Sequence, residues 1–439
     1  TTLTAEDIIN DYRLGYQSRH ASILGRREVM SGKAKFGIFG DGKEVAQLAM
    51  AKAFQKGDFR SGYYRDQTMM FAIGEHSIYE FFAQLYAHPD EKFDPATAGR
   101  AMNAHFATRS LNPDGSWKNL TDMKNSAADL SPTASQMPRL VGLAYASRLY
   151  RELEELKQFT NFSNNGNEIA FGTIGNASCA EGMFWETINA IGLMKAPMLL
   201  SIWDDEYGIS VPNKYQLTKG NISELLKGFQ YDPDTEQGFA LYTVKGWDYS
   251  TLIETYLTAA QTTRKEHIPA IIHIVEMTQP QGHSTSGSHE RYKSEERLDW
   301  ERETDCLKKM REWMVAEGIA TDEEMDAMEE QDRKTVENIR NESWEAFQQP
   351  IREYRKNLVN FIDTISPKSE HATELQDIKK KLTGLPAVTR KSVMAALRNV
   401  LITIRNEDSQ EKQNLIQWKN KLVKENNERF SSHLYSLSS

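Results

Sequence analysis

The stretch from Glu168 to Asp205 constrains the fold of this chain more than any other part of the sequence. A short apolar run after Glu168 predicts a buried strand, and a glycine turn follows at Gly175. A helical pattern then covers Cys179–Met194, and a second apolar strand is predicted at Met198–Trp203. A strand–turn–helix–strand unit of this kind is typical of a parallel α/β sheet.

Oxygen-bearing side chains follow both of these strands. Asn176 comes after the first strand, and Asp204 and Asp205 end the second. Ligands of parallel sheets bind outside the carboxyl ends of the strands, and a helix that begins there favours an anion. An anionic ligand with a hard cation would therefore suit both strand ends. The alternative is an ordinary βαβ unit whose aspartate pair lies in a solvated loop.

This stretch resembles the thiamine-diphosphate motif, in which Gly-Asp-Gly is followed by a helix, a strand and an Asn-Asn pair. It is also similar to one family, the alpha subunit of the decarboxylating component of 2-oxo acid dehydrogenases, which includes the branched-chain and pyruvate enzymes. The similarity thins past about residue 348. The matching residues are Ala180-Glu181-Gly182, Glu186, Asn189, Lys195-Ala196-Pro197 and Tyr207-Gly208-Ile209-Ser210.

The resemblance implies an oxidoreductase that decarboxylates a small 2-oxo acid on thiamine diphosphate and passes the acyl group to a lipoyl-bearing acyltransferase. In the family, the glutamate that activates the cofactor comes from the beta subunit, which no part of this chain resembles. We therefore expect a beta-like subunit, or a fused beta half, in an assembly with two copies of each half. The alternative is a non-catalytic cofactor-binding or assembly subunit that kept the fold. A nucleotide-dependent dehydrogenase is disfavoured, because no Gly-x-Gly-x-x-Gly follows a strand.

The resemblance places further cofactor contacts outside the central stretch. Tyr64 and Arg65 are expected at the cofactor, and the planar fork of Arg65 suits phosphate oxygens. The alternative is a surface Arg65 paired with Asp66. Ser131 and Thr133 precede a helix predicted from Met137, and in the family this turn reaches the cofactor. Read without the resemblance, the turn is only a helix N-cap.

Two histidines are the predicted catalytic residues. His105 ends a Gly-Arg-x-Met-x-x-His segment, and His283 lies in a Gly-His-Ser-x-Ser segment after a predicted strand. The family places the first in the active site and the second against the diphosphate, where an anion favours the protonated ring. The alternatives are a structural histidine and a chance histidine in a polar loop.

The resemblance also implies a Mg²⁺ site. The family holds the ion with an acid at the first motif position, an Asn oxygen at the second and a nearby backbone carbonyl. In this chain the two side chains are exchanged, so that one carboxylate still faces the cation. The predicted metal ligands are Asn176, Asp205 and Tyr207, and the predicted cofactor contacts at the motif are Gly175, Asn176, Ala177, Asp205 and His283. Two departures from the family are Ala177, in place of the second glycine, and Gln279, where an arginine is usual.

Composition excludes several other classes of function. The 439 residues carry a formal charge of −9, which argues against a nucleic-acid partner. Apolar runs are too short to span a bilayer, and no signal-peptide pattern opens the chain. Only two cysteines occur, Cys179 and Cys306, which argues against a disulfide framework. We therefore expect a cytoplasmic protein without a membrane partner.

The sequence predicts two units. Residues 1–365 form the thiamine-diphosphate-binding alpha domain: an N-terminal helix over 4–34, then a mainly parallel α/β part over about 40–290, then a helix that ends near Pro350. Residues 366–439 form a helical extension or linker, with 13 Lys/Arg against 8 Asp/Glu. In this extension, 367–389 is linker-like, and two apolar stripes after it are predicted to lie on the beta-like partner. Gly40-Asp41-Gly42 is interpreted as a turn, because no acid or amide pair lies thirty residues later.

Overall fold

A computed structural model describes residues 3–431 of the chain, and its centre is a parallel sheet of six strands in the order β2-β1-β3-β4-β8-β7. Every neighbouring pair in this sheet is parallel. The predicted α/β fold with a parallel sheet flanked by helices is confirmed. The strands are β1 Phe59–Ser61, β2 Asn125–Ser126, β3 Ala170–Gly175, β4 Met198–Trp203, β5 Tyr207–Gly208, β6 Val211–Pro212, β7 Ala240–Lys245 and β8 Ala270–Val275.

Helices cover both faces of the sheet and continue beyond it. The predicted N-terminal helix begins with a capping box, in which Thr4 and Asp7 bond each other's backbone N–H groups. The helices are α1 Ala5–Met30, α2 Glu44–Ala53, α3 Gln67–Ile73, α4 Ile78–Leu85, α5 Gln136–Glu152, α6 Gly182–Met194, α7 Ile222–Leu226, α8 Tyr249–Glu266, α9 Glu295–Glu303, α10 Cys306–Ala316, α11 Asp322–Ile365, α12 Ala372–Thr383, α13 Arg390–Thr403 and α14 Gln410–Ser431.

The apolar side chains of the strands alternate between two cores. Phe171, Leu199 and Ile272 point to a core shared with α2, α3 and α8. Ala170 and Leu200 point to the other face, where α5, α6 and α7 pack. Because both faces are covered, the inner strands are mostly apolar and do not alternate with polar residues, which is the pattern that predicted them.

The C-terminal helices form a third core with the second half of α11. Apolar side chains of α12, α13 and α14 pack against Ile351, Leu358 and Ile362 of that helix. The prediction that the apolar stripes need a partner subunit is therefore wrong, since Leu397 and Leu415 are covered within the chain. The expected linker at 367–389 is also wrong, because α12 occupies most of it. Residues 432–439 of the predicted extension, and residues 1–2 of the predicted alpha domain, lie outside the described part.

The helix predicted to end near Pro350 instead continues to Ile365. A proline inside a helix removes one N–H and leaves the carbonyl four residues earlier without its bond. Here that carbonyl belongs to Ala346, and it accepts a hydrogen bond from the His88 ring. The packing of Ile351 and Leu358 in the third core offsets the remaining cost. Tertiary contacts thus override the local signal at Pro350.

None of the helices within residues 3–431 is long and apolar enough to cross a membrane.

Candidate functional site

Most of the predicted site residues meet in a cleft of about 280 Å³ at the carboxyl end of the sheet. The turns that follow β1, β3 and β4 supply most of its walls, and the segment after β8 supplies His283. A larger cavity of about 1020 Å³ lies between α11, α14 and residues 88–100, but it contains none of the predicted site residues. The lining residues of the small cleft include Lys43, Tyr63, Tyr64, Arg65, Thr133, Gly175, Asn176, Ala177, Asp205, Tyr207 and His283.

The cleft opens where the chain reverses its direction across the sheet. Strands β1 and β3 are neighbours, but the helices that follow them pack on opposite faces, α3 in one core and α6 in the other. The loops after the two strands therefore separate and leave a crevice. In open α/β sheets this point is where ligands bind.

Arg65 is buried beside the cleft. Its Nη1 donates to the carbonyl of Phe39 at 2.6 Å, and its Nη2 donates to the His283 carbonyl at 3.0 Å. Its guanidinium also lies over the Tyr64 ring, 5.4 Å from the centroid. The alternative of a surface Arg65 paired with Asp66 is wrong, because Asp66 pairs with Arg60 at 2.7 Å. Arg65 is thus a buried cation fixed by carbonyl groups.

His283 is held by the same guanidinium. Its Nδ1 lies 3.0 Å from Arg65 Nη2. An arginine N–H can only donate, so Nδ1 is the acceptor and the proton of the neutral ring is on Nε2. Burial, and then the positive charge of Arg65, lower the pKa of His283 to about 4. In the protein alone the ring is therefore neutral at pH 7, and an anion beside it would oppose this shift.

Lys43 is the residue that sequence reasoning missed. It is the N-cap of α2, directly after the Gly40-Asp41-Gly42 turn, and its side chain is 1% exposed. Its Nζ donates to Asp205 Oδ2 at 3.1 Å and to two further acceptors, the Thr278 carbonyl at 2.9 Å and Gln279 Oε1 at 2.9 Å. The only sequence signal was a lysine directly before a helix whose residues are mostly apolar.

The Asp205 carboxylate is therefore the counter-ion of the Lys43 ammonium. Burial raises the pKa of Asp205, but the charges of Lys43, Arg65 and Lys293 outweigh burial, and the net pKa is lowered. Burial lowers the pKa of Lys43, against the opposing effect of Asp205. The neighbouring Asp204 points away from the cleft, to His273 Nε2 at 2.8 Å. Only one member of the predicted aspartate pair thus serves the cleft.

The three predicted metal ligands are brought together, but their groups are engaged with one another and with Lys43. Asn176 Nδ2 donates to Asn213 Oδ1 at 2.6 Å and weakly to the Tyr207 carbonyl at 3.4 Å. The Tyr207 N–H donates to Asp205 Oδ1 at 3.3 Å. Across residues 3–431 there is no group of three His, Cys, Asp or Glu that could hold a metal ion. This set of donors fits an anion better than it fits an octahedral Mg²⁺ site.

The other predicted catalytic histidine, His105, and the turn that contains Ser131 and Thr133 lie beside the cleft. His105 does not line it. The ring Nε2 lies 2.8 Å from Ser131 Oγ, and Nδ1 lies 3.2 Å from the Asn103 carbonyl. Thr133 does line the cleft. The structure therefore brings Thr133 to the cleft and pairs Ser131 with His105.

Comparisons with known proteins identify the family to which the chain is similar. The model of the protein family described as "Dehydrogenase E1 component" matches residues 16–352. The chain is 26% identical over 326 residues to the 2-oxoisovalerate dehydrogenase subunit alpha of Bacillus subtilis, covering 73% of this chain and 86% of that protein. It is 23% identical over 328 residues to the mitochondrial subunit of Mus musculus, where it spans 74% of this chain but only 63% of the relative. The mitochondrial 2-oxoisovalerate dehydrogenase subunit alpha 2 of Arabidopsis thaliana is 23% identical over 337 residues, which cover 76% of this chain and 61% of that protein.

Proposed function

This chain belongs to the dehydrogenase E1 component family of thiamine-diphosphate-dependent oxidoreductases, and from that premise we propose that it is the alpha part of a branched-chain 2-oxo acid dehydrogenase. Its substrate class would be the small 2-oxo acids, with pyruvate as the second candidate. The relatives that support the branched-chain choice are named 2-oxoisovalerate dehydrogenase subunits.

The observation that carries the proposal is the cleft at the strand crossover. Two buried cations, Lys43 and Arg65, face a crevice into which Thr133 and His283 also project. A diphosphate is the anion that such a pair of positive charges suits. The cofactor supplies the carbanion chemistry when it is bound. The residues of this chain bind its anionic end and offer the Nε2–H of His283 beside it.

A complete reaction needs groups that this cleft does not supply. We propose a beta-like subunit or fused beta half as the source of the activating glutamate, and a lipoyl-bearing acyltransferase as the acceptor of the acyl group. An assembly of two alpha and two beta halves, and a cytoplasmic location, remain predictions. Mg²⁺ is expected from the resemblance alone, and the donor set described above does not suit it.

The decisive experiment is decarboxylation of 3-methyl-2-oxobutanoate and pyruvate with a dye acceptor. It compares the chain alone with the chain plus a beta-like polypeptide. We expect activity only in the combined sample, with the branched-chain acid preferred. Full activity of residues 1–439 alone would contradict the shared site.

The alternative, a non-catalytic cofactor-binding or assembly subunit, is favoured by the same departures at Asn176, Ala177 and Gln279. Calorimetry separates the two proposals before any assay of turnover. Saturable binding of thiamine diphosphate, followed by no decarboxylation with the partner present, would favour the alternative. An absence of saturable binding even with the partner would exclude the enzyme.

A further inference from the structure

The ammonium of Lys43 lies on the carboxylate that was expected to hold Mg²⁺. Three acceptors surround Nζ at 2.9–3.1 Å: Asp205 Oδ2, the Thr278 carbonyl and Gln279 Oε1. An ammonium has three N–H donors, whereas a neutral amine has two. The number of acceptors therefore matches the charged form of Lys43, with each donor used once.

The backbone leaves Lys43 little freedom to lie elsewhere. Gly42 has φ +84°, and a Cβ at this position would lie 2.1 Å from the Thr278 carbonyl oxygen. A residue with a side chain cannot replace it there. The turn is also tied to the segment after β8, because the Gln281 N–H donates to Asp41 Oδ2 at 2.9 Å. The start of α2 and the Thr278–Gln281 segment thus form one rigid seat for the ammonium.

Gln279 completes this seat. Its Nε2 donates to the Asp41 carbonyl at 3.2 Å, which turns Oε1 toward Lys43. An arginine at this position, as the resemblance leads one to expect, would place two cations about 3 Å apart in a buried site, which is strongly unfavourable. Lys43 and Gln279 therefore form a matched pair, and the departure at Gln279 has a physical reason.

The remaining groups of the cleft lack the ligands of a hard cation. The Asn176 Nδ2 donates to Asn213 and weakly to the Tyr207 carbonyl, which leaves only its amide oxygen for a cation. The Asp205 carboxylate is bonded on both oxygens, by Lys43 and by the Tyr207 N–H. The other carboxylate that lines the cleft is Glu181, which is exposed. Mg²⁺ demands about six oxygens in near-octahedral geometry, and this set offers no comparable cage.

We propose that this chain binds the diphosphate of its cofactor without a divalent cation, with the Lys43 ammonium and the Arg65 guanidinium as its counter-charges. This inference rests on the proposed function and deepens it at the same site. Lysine acts on phosphates as a compact point charge, whereas arginine presents a planar set of donors, so the two residues contribute different interactions. Asp205 then positions Lys43 and is not a metal ligand.

Isothermal titration calorimetry on the full chain, in its native assembly, tests the proposal. Thiamine diphosphate and inorganic pyrophosphate are the probes, each titrated once with EDTA and once with Mg²⁺. We expect saturable binding in EDTA, with a Kd within about threefold of the value in Mg²⁺. Binding that requires Mg²⁺ would overturn the inference and leave the proposed function standing. Absence of binding in both solutions would overturn both.

Two variants give effects of opposite sign. Lys43→Gln removes a buried positive charge and leaves the Asp205 carboxylate uncompensated near the diphosphate, so we expect it to weaken binding in EDTA by about 10- to 100-fold. Asp205→Asn removes the carboxylate that offsets Lys43, and we expect binding in EDTA at least as tight as in the unsubstituted chain. Loss of folded protein cannot produce the second result. Weaker binding by Asp205→Asn, together with loss of any response to Mg²⁺, would identify Asp205 as a metal ligand and overturn the proposal.

Lys52→Gln is the matched control. Lys52 also lies on α2 and also pairs with an aspartate, Asp11 at 2.8 Å, but it is outside the cleft. We expect this variant to bind both probes with unchanged affinity in EDTA. A loss equal to that of Lys43→Gln would show that the effect comes from α2 in general and would overturn the assignment.

Discussion

Two clusters of buried charged side chains lie near the carboxyl end of the sheet. One cluster stabilises the fold, and the other lines the cleft. The closed cluster consists of Arg60, Asp66 and Asp129, all with fully buried side chains. The open cluster consists of Lys43, Arg65 and Asp205, which line the cleft. Each contains an arginine from the region of β1, Arg60 from the strand itself and Arg65 from the turn that follows it. Position relative to the cleft, and not the residue type, separates them.

The closed cluster is paired within the fold, with Asp129 Oδ1 as its one oxygen without a hydrogen-bond partner among residues 3–431. The Asp66 Oδ2 accepts from Arg60 Nε at 2.9 Å and from Arg60 Nη2 at 2.7 Å, and Oδ1 accepts from Trp203 Nε1 at 3.2 Å. Burial raises the pKa of Asp129, an effect that the charge of Arg60 opposes. With two carboxylates against one guanidinium, this cluster does not attract an anion. Its role is to join β1 to β2 and β4.

The open cluster has two cations against one carboxylate. Its surplus positive charge faces a cleft, where a ligand anion can neutralise it. Burying charges that no ligand can neutralise costs stability unless every charged group is paired. The comparison teaches that the unbalanced cluster marks the binding site, while the paired cluster marks the scaffold.

The largest expected effect comes from the closed cluster. Asp66→Asn leaves Arg60 with Asp129 as its carboxylate partner and removes a buried charge pair. We expect the free energy of unfolding to fall by about 3–5 kcal/mol, as measured by urea denaturation. Asp363→Asn, at an exposed pair with Lys379, is the control, and it should change stability by no more than about 1 kcal/mol. Equal effects of the two variants would remove the distinction between the clusters.

A smaller effect on stability, but a larger one on binding, is expected in the open cluster. Arg65→Met removes a positive charge that lines the cleft, so we expect pyrophosphate affinity to fall about 10- to 100-fold by calorimetry. Arg302→Met, at an exposed pair with Asp299, is the control and should leave the affinity unchanged. If Arg65→Met destabilised the fold as much as Asp66→Asn and left affinity intact, Arg65 would belong to the scaffold.

Acidification provides a third test through His283. Its pKa is lowered from 6.5 to about 4 by burial, and then by Arg65. The unfolded chain therefore binds a proton that the folded chain does not, so the stability from neutral His283 is complete above pH 6.5 and is lost as the pH falls toward 4. We expect His283→Gln to reduce the loss of unfolding free energy between pH 7 and 5 by about 1 kcal/mol, after discounting for partial exposure.

The control for this test is His371→Gln, at the exposed N-terminal end of α12. Urea denaturation at both pH values should give the same difference for this variant as for the unsubstituted chain. Saturating pyrophosphate should also reduce the His283 effect, because the anion favours the protonated ring. An unchanged pH dependence in His283→Gln would mean that the ring is not buried as described.

Sequence patterns predicted the parallel sheet because apolar periodicity and turn residues act locally. The central unit was placed to within a few residues, and β4 coincides with the predicted Met198–Trp203 strand. The family resemblance was confirmed as well. The predicted end of α11 was wrong because the helix is stabilised beyond Pro350 by packing against α12–α14, which follow later in the sequence.

The sequence predicted part of the site, because the ends of strands can be recognised from local patterns. Strand ends supplied Gly175, Asn176 and Asp205, since a parallel sheet brings its carboxyl ends to one edge. Lys43 was missed because its partners, Asp205 and Gln279, lie more than 160 residues away, with sequence separations of 162 and 236. No local pattern reports a contact of this kind. The assignments of catalytic roles to His105 and His283 remain predictions.

His105 stands between the two clusters, and its test has the smallest expected effect on stability. The neighbouring Phe106 N–H donates to Asp129 of the closed cluster at 2.9 Å, while the His105 ring faces Ser131 Oγ at 2.8 Å. Ser131→Ala removes this contact at an exposed position, where water can replace the hydroxyl, so unfolding free energy should change by about 0.5 kcal/mol or less.

The same variant should still affect turnover. Without Ser131 the His105 ring loses the hydrogen bond that orients it, and we expect kcat for decarboxylation to fall about tenfold with the Kd for thiamine diphosphate unchanged. Ser135→Ala is the matched control, because this hydroxyl is in the same turn but bonds the Pro132 carbonyl. A parallel loss of affinity would instead place Ser131 on the cofactor with the open cluster. No change in either quantity would leave His105 as a structural residue attached to the closed cluster through Phe106.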